Sequence, residues 1–98
     1  MPFELDLPKR LKKLGWKVKI REKERLEPPH VTILHRFQEW RVILRDGSLL
    51  PPSGRRADID DEVWKHVVLH WALLQAEWDK KYPSNPIESE DKENGDED

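Results

Sequence analysis

Residues 58–82 read DIDDEVWKHVVLHWALLQAEWDKKY, and the spacing of the apolar side chains in this stretch decides the fold. Val63, Trp64, Val67, Val68, Trp71, Leu74 and Trp78 recur at three- and four-residue steps, the period that gathers side chains onto one side of an α-helix. Asp58, Asp60, Asp61 and Glu62 stand at its start, where carboxylates accept from free N–H groups and meet the positive end of the helix dipole, while Lys80 and Lys81 stand at its end. The pattern predicts one long amphipathic helix from Asp58 to Tyr82. Pro83 and Pro86 end it, because a residue before proline disfavours the α region.

Upstream the period changes from about 3.6 residues to two. Trp16 to Glu22, His30 to His35 and Trp40 to Arg45 alternate or are rich in β-branched and aromatic residues, which predicts three strands joined in antiparallel order. Asp46-Gly47 reads as a turn. Leu7, Leu11 and Leu14 fall at helical spacing across Pro8 to Leu14, so a short first helix is expected, stopped by Gly15. The expected fold is α+β: a short N-terminal helix and a three-stranded antiparallel sheet packed under one long C-terminal helix. Each Trp of the helical stripe, burying ~150–250 Å² at ~25 cal/mol per Å², would supply several kcal/mol of gross burial energy.

Residues 1–87 make a single domain. From Glu88 to Asp98 no apolar residue occurs, so this acidic segment cannot offset the entropy of ordering and is expected to be a disordered tail. The formal net charge of −2 is unevenly distributed. Residues 1–56 hold 14 Lys or Arg against 7 Asp or Glu, and residues 57–98 hold 4 against 13. The chain has no cysteine, which excludes a disulfide scaffold and a thiolate zinc site and is compatible with a reducing, cytoplasmic setting. No leader pattern and no run of ~20 apolar residues is seen, so no membrane partner is expected.

In the first strand Lys17, Lys19 and Arg21 alternate with Trp16, Val18 and Ile20; in the third, Arg41 and Arg45 alternate with Trp40, Val42 and Leu44. With Arg55 and Arg56 of the following loop, these seven side chains form a candidate nucleic-acid-binding face, since Lys and Arg on a strand surface can neutralise phosphates and release counterions. The bland reading is a solvated face or a protein-binding one. His30, after Pro28-Pro29 at the start of the second strand, is the candidate catalytic residue, an imidazole that could exchange protons near neutral pH; its bland task is to hold that turn by a hydrogen bond. His66 and His70 have the four-residue spacing of paired metal ligands. Two ligands do not make a site, so neither a metal nor a cofactor is expected.

At Glu27-Pro28-Pro29-His30-Val31-Thr32 and at Trp71-Ala72-Leu73-Leu74-Gln75-Ala76-Glu77-Trp78 the chain resembles the small bacterial family called domain of unknown function 4160. The likeness runs from about Trp16 to Tyr82, with Thr32 standing where members commonly carry a second histidine. A second likeness, at Lys12-Lys13-Leu14-Gly15-Trp16-Lys17-Val18, is to HicA-type toxins, whose catalytic histidine His30 would match by position. Some members of the first family are described as toxins of toxin–antitoxin pairs and many have no assigned activity; both resemblances point toward translation or RNA, and the toxin likeness implies a cognate antitoxin-like protein as partner. The leading expectation is therefore a cytoplasmic bacterial protein that binds RNA or another polyanion through the basic sheet face, with His30 as a nuclease residue. The alternative is a protein-interaction module without catalysis.

Overall fold

The computed structural model describes residues 3–20 and 28–87. The elements run β1 (Phe3–Glu4), α1 (Lys9–Lys13), β2 (Trp16–Ile20), β3 (His30–His35), β4 (Gln38–Ile43), a 3₁₀ turn (Arg56–Asp58), α2 (Asp61–Leu69) and α3 (Trp71–Lys81). The α+β class holds. Several expectations within it are corrected.

The sheet has four strands in the order β1-β2-β3-β4, all antiparallel, rather than three. The added strand pairs Phe3 with Ile20 and Glu4 with Lys19, and the Leu5 N–H continues the ladder to the Val18 carbonyl at 2.8 Å. Two residues are too few to show a side-chain period, so only the partner strand defines them. The strand expected from Trp40 to Arg45 begins earlier, at Gln38, because His35 and Gln38 pair directly across a two-residue loop.

The long helix is broken at His70, whose φ of −106° and ψ of 24° leave the helical region. At the break the His66 carbonyl receives both the His70 N–H at 3.1 Å and the His70 Nδ1–H at 2.9 Å, and the Leu74 N–H still reaches the His70 carbonyl at 2.9 Å. α2 starts at Asp61 rather than at Asp58, which belongs to the 3₁₀ turn, and the cap is the Asp60 carboxylate, one of the acidic residues expected there, accepting from the Glu62 N–H at 2.8 Å.

Alternation and register put Phe3, Trp16, Val18, Ile20, Val31, Ile33, Trp40 and Val42 on one face of the sheet. All but Phe3 are buried, and they share one core with Leu5, Leu7, Leu11, Ile59, Val63, Val67, Leu74 and Trp78. α3 lies where β3 begins and β4 ends. There the Trp78 ring is 5.6 Å from that of His30, and Gln75 Nε2 donates to the Leu44 carbonyl at 2.9 Å. Beyond α3 the chain turns back: Arg45 donates to the Ile87 and Pro86 carbonyls, and Asp79 accepts from the Ile87 N–H.

The outer edge of β4 is closed by residues 48–54. Ile43 N–H reaches Ser48 O, Leu50 N–H reaches Arg41 O, Gly54 N–H reaches Glu39 O, and Arg41 N–H is taken by Ser53 Oγ. An edge filled in this way offers no template for another strand. No helix among the described residues is long and apolar enough to cross a membrane.

Candidate functional site

His30 opens β3 and is fully buried. Its Nδ1 lies 2.9 Å from the Pro28 carbonyl, which can only accept, so Nδ1 carries the proton and holds the Pro-Pro turn. General acid–base work needs hydrogen-bond reach of a reacting group. The imidazole presents no surface to solvent and packs on Trp78.

Among the described residues, the basic candidates stand in different surroundings. Lys17, Lys19 and Arg41 share the sheet face opposite the core, but in register they stand beside Thr32, Leu34 and two carboxylates, Glu4 next to Lys19 and Glu39 across Leu34 from Lys17. Arg41 donates to the Pro51 carbonyl. Arg45 is engaged by the C-terminal return described above, and Arg55 pairs with Asp58 at 3.3 Å. Arg56 lies 4.0 Å above the ring of Trp64, a cation–π contact. Arg21 and the acidic tail, residues 88–98, lie outside the described residues.

His66 and His70 stack with ring centroids 6.1 Å apart, and His70 Nδ1 is spent on the His66 carbonyl. No third His, Asp or Glu joins them into a metal-binding group among the described residues.

A different site appears at the end of the sheet where β2 begins and the β3–β4 hairpin turns. Trp16 pairs with His35 there. Their rings stack at 4.0 Å and 8°, Trp40 continues the stack at 5.7 Å from Trp16, and His35 Nε2–H donates to the Leu14 carbonyl at 3.0 Å. This framework presents two apolar side chains to solvent. Phe37, at the hairpin tip, is as exposed as in an unfolded chain, at 103%, and Leu14, on the adjoining turn, is 52% exposed. Lys13 and Arg36, their neighbours in the chain, and Lys17, next to Trp16 in β2, are exposed. Lys12 is occupied by Asp6 at 2.6 Å, an ion pair that holds the Asp6 carboxyl below its usual range.

Arg36 adopts φ 58°, the left-handed conformation that two-residue hairpins require at their first loop position and that non-glycine residues adopt only at a cost. Beside the tip a groove of about 420 Å³ is lined by Phe37, Gln38, Glu39, Arg41, Pro52 and Ser53. The sequence places a turn around Arg36 to Glu39, in agreement with the hairpin, but does not mark Phe37 or Leu14, because a spacing pattern does not record exposure. Comparison with family models, with curated proteins and with solved structures gives no match to this chain.

Proposed function

We propose that this chain is a non-enzymatic interaction module that docks an acidic protein segment through the end of its sheet, with Phe37 and Leu14 as apolar contacts inside a cationic rim. The observation that carries this reading is the complete exposure of Phe37 beside an exposed Leu14. Single exposed apolar residues are ordinary, but here two on adjacent turns are tied together by the His35–Leu14 hydrogen bond and backed by a three-ring stack. An aromatic anchor held on a rigid support loses little entropy on binding, and the surrounding Lys13, Lys17 and Arg36 add steering toward negative charge. An antitoxin-like protein, the partner class implied by the two resemblances, would need an acidic segment with an apolar residue to fit. Catalysis through His30 has no comparable support, given the burial of the ring.

The polyanion reading shares the cationic rim, so the two are separated by the apolar residues. Fluorescence anisotropy at ~50 mM salt, where charge attraction is strong, is measured with a leucine-containing Asp/Glu peptide and with a single-stranded RNA oligomer. The expected result is peptide binding that Phe37→Ser weakens about tenfold or more, the usual loss at a central anchor. The paired Lys13→Gln and Arg36→Gln change should lower both affinity and salt dependence. RNA binding that is indifferent to Phe37→Ser would transfer the site to phosphate recognition, and absence of both would end the reading.

A further inference from the structure

The helices α2 and α3 are apolar on two opposite sides. One side is the core stripe of Val63, Val67, Leu74 and Trp78, all fully buried. The other consists of Val68, Leu69, Ala72, Leu73 and Ala76, which recur at the same three- and four-residue steps on the outward face. Val68, Leu69 and Leu73 are 52%, 71% and 42% exposed, and both alanines are exposed. Between Lys65 and Glu77 this outward stripe carries no charge. A surface helix normally turns charged and polar residues to water, so an outward apolar stripe of two turns marks a contact surface. Strand addition is not an alternative way to associate through β4, whose edge is closed by residues 48–54.

We infer that a second copy of this chain covers the stripe, the two α2–α3 units crossing antiparallel about a two-fold axis at the His70 bend. The occupant follows from the charge pattern. Asp60 and Asp61 stand at the start of α2, and Lys80 and Lys81 at the end of α3. Two copies side by side in parallel would set like charges together. Antiparallel pairing sets Asp61 toward Lys80 of the second copy, Val68 toward Leu73 and Leu69 toward Ala72, and the same contacts recur by symmetry. Such self-complementarity is the signature of an isologous interface, in which one patch serves both partners. The patch is small beside the ~800 Å² per partner of standard stable interfaces, so the dimer is weak, with dissociation expected at tens to hundreds of micromolar on the order of a transient contact.

Sedimentation equilibrium of the full chain from about 10 to about 500 μM brackets that transient range. The expected result is a monomer–dimer equilibrium with no larger species. Leu69→Glu with Leu73→Glu, both outward and outside the core, should leave the thermal midpoint nearly unchanged and abolish the dimer. Lys80→Glu should weaken it several-fold, and Asp61→Lys added to Lys80→Glu should return it to within about twofold of the parent, because the swap recreates the opposite-charge pair. Phe37→Ser, at the other site, should leave it intact. A chain monomeric over the whole range overturns the inference and leaves the stripe to a different partner. A dimer indifferent to the leucine changes also overturns it, and one that the charge swap does not rescue overturns the antiparallel arrangement.

Discussion

A Cβ added to Gly54 would lie 2.7 Å from Nε1 of Trp40 and 3.0 Å from Cε2, and the ring cannot easily yield, because Nε1 donates to the Arg55 carbonyl at 2.8 Å. Gly54→Ala should therefore cost about 1–3 kcal/mol, the range for overpacking a filled core, as read from urea unfolding; a loss below about 0.5 kcal/mol would mean that the 48–54 segment shifts freely. Arg36 makes the opposite case. Its positive φ is strained for any side chain, so Arg36→Gly should raise stability by up to about 1 kcal/mol while removing a cation from the proposed docking rim. A thermal melt and the peptide titration on the same variant should move in opposite directions.

At the scale of elements, burial ranks the tryptophans that the helical period placed together. Trp78 on α3 is fully buried against His30 and Tyr82 and donates from Nε1 to the Asn85 carbonyl at 2.8 Å. Trp71, at the start of α3 beside Gly47, is only half-buried. Trp78→Ala should cost about 3–5 kcal/mol, a full aromatic deletion with a carbonyl left unpaired, and Trp71→Ala less than half of that. Equal losses in denaturant unfolding would contradict the half-exposed placement of Trp71. The same period could not show that His70 interrupts the stripe, because one residue leaving the helical φ and ψ leaves the apolar spacing unaltered.

Across the whole molecule the cations are distinguished by what each one meets. Arg45 reads in the sequence as a member of a binding face, yet it holds the Pro86 and Ile87 carbonyls from 41 and 42 residues away. Arg45→Gln should cost about 1–3 kcal/mol, the range for hydrogen bonds made by a charged donor, and truncation after Asn85 should remove nearly all of that difference in a double-mutant cycle. Additive losses would place the effect of Arg45 elsewhere. The α+β class, the β3 strand from His30 to His35, the stop of α1 before Gly15 and an acidic cap near the start of α2 were all determined by the sequence by itself. Each rests on local rules of side-chain period, φ preference and capping that act within a few residues. The burial of His30, the partners taken by Arg41, Arg45 and Arg55, the two-residue β1 and the exposure of Phe37 and Leu14 at one end of the sheet were decided only by tertiary structure. These depend on contacts between residues far apart in the chain, and a one-dimensional pattern records which side chains could face together without recording what finally covers them.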